Sequence, residues 1–245
     1  MILLRLLVTT AAIVLIGLNE SAAPLQIASY TLYNLNENRI EIQMAKEQKA
    51  EQEKINYMNM KMAMYLYICE ASGSNDFTSI RNIVDVIYDA SIRYELPIGL
   101  IMAIIEKESD WRIIIKNKYG ARGLMQIVLR YKSGNSMWQD ILISNKIIIV
   151  PLGYKNLTKK EKNKICDKLI YDIKTNINAG CYILRHYIDQ VYFSRKDKTL
   201  VMDSYLAEVL RHYSGNHYSK DRGDSYINKV CANWWKIEKF MNENY

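Results

Sequence analysis

Scarcity of chain breakers constrains this sequence more than any other feature: 245 residues contain only 10 Gly and 3 Pro. Sheets joined by tight turns need glycine and proline at their corners, whereas long stretches rich in Leu, Ile, Met, Lys and Glu extend as helices. The length suffices to bury a substantial core, and a chain 49% hydrophobic and 24% charged is globular in composition. The sequence therefore predicts an all-α protein with one principal domain and appendages.

Local patterns place the helices. Residues 41–54 are nearly all strong helix formers with interleaved Glu and Lys, as in a solvated helix. Met58, Met62 and Leu66 follow at i, i+4 and i+8, which predicts a packing face. Residues 71–76 read as a loop, after which Asp76 or Thr78 is placed to cap a helix carrying Ile80, Ile83, Val84, Ile87 and Ala90 at helical spacing. Pro97 suits the first turn of a helix over 97–108, and further helices are expected at 159–171, 176–192, 200–213 and 224–241. The run 147–150, Ile-Ile-Ile-Val, fits either a short strand or a buried loop.

Residues 1–18, MILLRLLVTTAAIVLIGL, are apolar apart from Arg5 and two threonines. A basic start ahead of a hydrophobic run is the layout of an export signal. Counted from Met1 the run also approaches the ~20 residues that cross a bilayer, so removal as a signal and retention as a membrane anchor both stay open. The expected organisation is a signal peptide or anchor over 1–23, a helical spacer over 24–70 and the main domain over 71–245. Export would put the chain in the cell envelope, in the periplasm or on the outer face of the inner membrane.

Four cysteines, Cys69, Cys166, Cys181 and Cys231, form no CxxC pair. An even count in an exported chain favours at least one disulfide, with the pairing open. The formal charge of +7 calls for anionic partners. No zinc-finger, helix-turn-helix or RNA-binding strand signature accompanies it, so nucleic acid is not expected and anionic wall polymers or membranes are. His186, His212 and His217 lack metal-ligand spacing, and no phosphate loop is present, so neither metal nor cofactor is expected. Tyrosine, at 19 against 3 Phe, suits a carbohydrate groove by joining an apolar ring to a hydrogen-bonding tip.

One carboxylate carries candidate chemistry. In the helix from Pro97, Ile101, Ile104, Ile105 and Glu108 share a face, while Glu106 points elsewhere. A carboxyl continuing an apolar face is costly to ionise, and a retained proton is what a general acid at a glycosidic oxygen needs. Glu108-Ser109 is followed by Gly120-Ala121-Arg122-Gly123-Leu124-Met125-Gln126. Further on come Asp172-Ile173-Lys174-Thr175-Asn176-Ile177-Asn178-Ala179-Gly180, Tyr213-Ser214-Gly215-Asn216 and Ser225-Tyr226-Ile227-Asn228-Lys229-Val230. These four motifs, in this order across about 90–232, resemble the soluble lytic transglycosylase family of the lysozyme-like superfamily.

The resemblance implies a peptidoglycan lytic transglycosylase with Glu108 as its sole catalytic carboxylate. It implies Ser109, Met125, Gln126, Tyr213 and Tyr226 as substrate-groove or supporting residues. Asn176 reads as a helix-start cap. The implied partner is the glycan strand of peptidoglycan, in wall turnover, a secretion machine or a phage envelope-penetrating complex. A lysozyme-type hydrolase on the same fold, and an inactive glycan-binding or assembly protein, are the alternatives. The chain departs from the family at Ile127-Val128-Leu129-Arg130, where Pro-x-Thr is common, and at Asn117 and Asn216. The stretch from Gln126 to Asp172, with its basic segment 155–164, is also longer than the family commonly shows. These departures bear on the sugar subsites and leave the acid in place.

Overall fold

The computed structural model describes residues 23–131, 136–194, 202–215 and 220–244. The apolar run 1–18, Asn216 and His217 lie outside the described residues. Among those described are eight α-helices: α1 (Ala23–Ser72), α2 (Phe77–Tyr94), α3 (Ile98–Ser109), α4 (Gln139–Ser144), α5 (Lys159–Leu169), α6 (Ile173–Ser194), α7 (Met202–Tyr213) and α8 (Lys220–Asn244). One 3-10 turn, Tyr154–Asn156, and three isolated β-bridges accompany them, with no strand among these residues. The all-α expectation holds. Among the described residues no helix is long and apolar enough to cross a membrane.

The chain divides into two compact units, Met1–Tyr57 and Met58–Tyr245. In the first, every described side chain from Arg39 to Tyr57 is exposed along α1. Pairs one turn apart, Gln43 with Glu47 at 2.8 Å, Lys49 with Glu53 at 3.9 Å and Gln52 with Asn56 at 2.8 Å, are among its side-chain contacts. Such pairs give an isolated helix only about 0.2–0.5 kcal/mol each, which fits the solvated helix read from the sequence.

The second unit takes in the end of α1, which the sequence had assigned to the spacer. Its buried face differs from the expected one. Met58, Met62 and Leu66 are exposed by 59%, 58% and 43%, whereas Ala63, Met64, Tyr67 and Ile68 are buried. The helical period was right and the face was displaced, because several methionines lie on both sides of this helix and periodicity alone does not rank them.

The core is built around α3. Gly99 to Ile105 are all buried, and Leu100, Ile101, Met102, Ile104 and Ile105 are among the largest fully enclosed side chains. At about 1.5–3 kcal/mol per large side chain, that segment alone contributes on the order of 10 kcal/mol of transfer free energy, an upper bound. A helix apolar on all sides must be surrounded. Accordingly α3 packs against α8 and α2, α2 against α6, and α7 against both α6 and α8. Asp76 caps α2 by accepting from the Ser79 N–H at 3.1 Å, and Glu95 ends it in a left-handed conformation at φ 51°.

One expectation needs correction and one is resolved. None of the four cysteines forms a disulfide: Cys166 and Cys181 are buried, Cys69 is half-buried and Cys231 exposed. The Cys166 sulfur instead sits 3.2 Å from the Tyr154 hydroxyl. Residues 147–150 form a loop, with Ile148 buried and Ile149 79% exposed. The short helix α4 was not anticipated, six residues being too few to show a period.

Candidate active site

Helix α3 delivers Glu108 in its last turn and then stops abruptly. Asp110 and Trp111 both take left-handed backbone conformations, φ 53° and 62°, and the Asp110 N–H closes on the Glu106 carbonyl at 3.0 Å. Two consecutive non-glycine residues in that region are unusual and cost roughly 1–2 kcal/mol each. The reversal is held by burial of Trp111 and by Arg112, whose Nε donates to the Ser109 carbonyl at 2.9 Å.

Glu108 is half-buried, and desolvation raises its carboxyl above the ordinary range. Its place at the carbonyl end of a helix works the same way, since the helix dipole disfavours negative charge there. Two weaker influences support the carboxylate: the Tyr226 hydroxyl and the Lys107 ammonium. The Tyr226 hydroxyl is buried and faces the carboxyl without a hydrogen bond of ordinary geometry. Such contacts often tighten only when substrate is bound. Tyr213 is a second neighbour; burial first, then the Glu108 charge, pushes its hydroxyl well above the usual range. Residues more than a hundred positions apart thus meet at one carboxyl.

Glu106, two positions from Glu108, faces the opposite way. It accepts from the Tyr67 hydroxyl at 2.6 Å and lies 3.8 Å from the Lys236 ammonium. Tyr67 is 2% exposed and rests edge-on against Phe240, centroids 5.3 Å apart. One carboxyl of α3 therefore fastens the end of α1, and the other is turned towards Tyr213 and Tyr226.

The loop over residues 120–126 forms the next wall. Asn176 of α6 holds it from below with all of its polar atoms. Its Oδ1 accepts from the Met125 N–H at 2.7 Å, and its Nδ2 donates to the Arg122 and Ile170 carbonyls, each at 2.9 Å. Gly123 is required twice over: its φ is +75°, and a Cβ there would stand 2.2 Å from Asn176 Nδ2. One turn along α6, a Cβ on Gly180 would meet the Met125 sulfur at 2.3 Å. The Asn176–Gly180 row is thus a shaped seat for the loop, and Tyr213 completes it by donating to the Met125 carbonyl at 3.1 Å.

The six residues expected at the site are brought together unevenly. Glu108, Tyr213 and Tyr226 converge. Ser109 and Met125 do not present side chains to a substrate: Ser109 is 1% exposed and donates to the Ile105 carbonyl at 3.0 Å, and Met125 is 0% exposed. Of the groove or supporting roles expected, their burial fits the supporting one. The Gln126 side-chain nitrogen donates to the Gly123 carbonyl at 3.0 Å, with a longer contact to Ile115 at 3.5 Å. Gln126 itself is strained at φ +48°, and only its side-chain oxygen is left to accept from a ligand. Asn176 is not the helix cap expected of it. Asp172 caps α6, accepting from the Thr175 N–H at 2.8 Å.

Sequence reasoning missed the Asn176 latch, although a signal existed: an Asn four residues before Gly180 on a helix face otherwise carrying Ile177 and Cys181 has no solvent to serve it. Among the described residues no group of three His, Cys, Asp or Glu side chains is placed to hold a metal.

An all-helical frame around a desolvated glutamic acid flanked by the buried Tyr226 and the half-buried Tyr213 is consistent with a lysozyme-like domain. The family model described as Transglycosylase SLT domain matches residues 85–137, which span most of α2, all of α3 and the loop through Gln126. No curated protein matches the chain. Tyr213 and Tyr226 lie beyond the matched segment, yet the fold returns them to Glu108. The match supports a peptidoglycan-acting function of the lytic transglycosylase type.

Proposed function

We propose that the chain is a peptidoglycan lytic transglycosylase that cleaves the β-1,4 bond between N-acetylmuramic acid and N-acetylglucosamine, with Glu108 as acid and then base. The observation that carries this reading is the desolvated Glu108 carboxyl set against Tyr213 and Tyr226.

A carboxyl raised by desolvation keeps its proton to higher pH than an ordinary glutamic acid and can give it to the bridging oxygen as the glycosidic bond breaks. The carboxylate so formed is supported by the Tyr226 hydroxyl and Lys107. It then takes the proton of the muramoyl C6 hydroxyl, whose oxygen closes on C1 to give a 1,6-anhydro ring. Proton and electron pairs balance with no water consumed. A second carboxylate to activate water is therefore not needed, unlike the two-carboxylate hydrolases. The loop on Asn176 and the α3 reversal hold the reacting groups in place, and displacement by 1 Å would cost on the order of 100-fold in rate.

Digestion of purified sacculi followed by mass spectrometry tests the proposal. Wild type should release anhydro-muropeptides and Glu108→Gln none. Reducing-end products would reassign the protein to the hydrolases, and undiminished cleavage by Glu108→Gln would remove Glu108 from the chemistry. The cellular setting, in wall turnover, a secretion machine or a phage particle, is a separate matter of localisation. Export through residues 1–23 would bring the enzyme to its substrate, and tagging the full chain and following its N-terminus by mass spectrometry tests that.

A further inference from the structure

A cavity of about 250 Å³ opens beside the 120–126 loop, lined by Lys116, Lys118, Arg122 and Arg130 together with Tyr119 and Tyr131. Four of its side chains are cations and none is an acid.

The two arginines are built into the fold. Their side chains are only 11% and 13% exposed, and both reach the single carboxylate of Asp167 on α5, Arg122 at 3.0 Å. Arg122 also donates to the Gly120 carbonyl at 2.7 Å, and Arg130 donates to Gln139. Each guanidinium has five N–H groups, so further donors remain on both. One acid against two arginines leaves a positive charge there, and Lys116 and Lys118 add two more without an ion pair among the described residues. Crowding like charges without need is unfavourable, and a concave cationic pocket concentrates anions. Planar, pre-positioned arginines suit carboxylates in particular.

Position selects the source. Arg122 and Met125 belong to one loop, and three residues of chain span at most roughly 11 Å. Met125 touches Tyr213, which neighbours Glu108. An anion in the cavity is therefore within the reach of a substituent on the sugar being cleaved. Tyr119 and Tyr131, 59% and 56% exposed, offer rings to an aliphatic peptide segment.

We propose that this cavity binds the free carboxylates of the stem peptides carried by the glycan strand, so that the enzyme prefers strands that bear peptides. The inference rests on the proposed function for its choice of ligand, but its binding test does not require cleavage.

The full-length protein is titrated calorimetrically with a free stem tetrapeptide and, separately, with poly(glycerol phosphate). Wild type should bind the peptide, and Lys116→Ala/Lys118→Ala should bind it at least tenfold more weakly. In digestion, wild type should cleave peptide-bearing strands at least several-fold faster than amidase-stripped strands, and the variant should lose most of that preference. No peptide binding by wild type, or binding unchanged in the variant, overturns the proposal. Tighter binding of the phosphate polymer overturns it in favour of that ligand. Peptide binding with no cleavage of either strand supports the cavity assignment and defeats only the enzymatic reading.

Discussion

Replacing Asn176 with Ala should reveal how strongly the loop depends on one side chain. Asn176 is 1% exposed and makes three hydrogen bonds. The three are unequal. The Arg122 carbonyl keeps a second donor, the Ile127 N–H at 2.9 Å, so losing Asn176 there costs about 0.5–1.5 kcal/mol. The Ile170 carbonyl has no second donor among the described residues, so it and the Met125 N–H would each become a buried orphan, at about 1–3 kcal/mol apiece. The sum is about 5 kcal/mol, a large share of the 5–15 kcal/mol that stabilises a typical domain. For a unit of this size that lowers Tm by about 10–20 °C. Urea unfolding followed by circular dichroism measures the loss directly. Asn176→Asp is the sharper control: it keeps the acceptor for Met125 but turns an oxygen onto two carbonyls, so it should be at least as damaging as Ala. A loss below about 1 kcal/mol for Ala, or a stable Asp variant at neutral pH, would refute the latch. Cleavage should fall in step, since Tyr213 is seated on the Met125 carbonyl.

Glu108→Gln should be more stable than wild type at neutral pH. The folded state raises the Glu108 carboxyl above its unfolded value, so the folded protein holds the extra proton and stability declines as pH rises through that interval. The Tm difference between variant and wild type should vanish near pH 4 and grow to a plateau, and a flat difference across pH contradicts the burial argument. Truncation gives a second test: a chain starting at Met58 should fold cooperatively, whereas one starting at residue 70 lacks Met64, Tyr67 and Ile68 and should lose its sharp thermal transition. Tyr67→Phe removes the 2.6 Å bond to Glu106 and should cost about 1–3 kcal/mol in urea unfolding, and an unchanged midpoint would dissociate that bond from stability.

The all-α architecture was legible because few breakers and long helix-forming runs admit little else. The desolvation of Glu108 was legible too, since the apolar positions 101, 104 and 105 lead to it at helical spacing. What sequence could not separate was contact from support. Ser109 and Met125 sit in the same motif as the groove residues, but the hydroxyl turns back to Ile105 and the thioether fills the notch at Gly180. Motifs report that a residue is needed and say nothing of which way it faces. The buried face of α1 was misplaced for a similar reason: Met58, Met62 and Leu66 form a regular row, but burial was decided by Tyr67 meeting Glu106 and Trp111, contacts across tens of residues. The disulfide expectation failed because compartment and parity speak to permission, not to geometry.

The encasement of α3 has a bearing on how such a site can work. With Gly99 to Ile105 sealed on every side, the helix cannot shift without opening the centre of the molecule. The Glu108 carboxyl, the proposed proton donor, thus sits on an anvil, fixed while other parts adjust. Accommodation of a long polymer then falls to the more superficial walls, where a few hydrogen bonds rather than a packed interior set the cost of yielding.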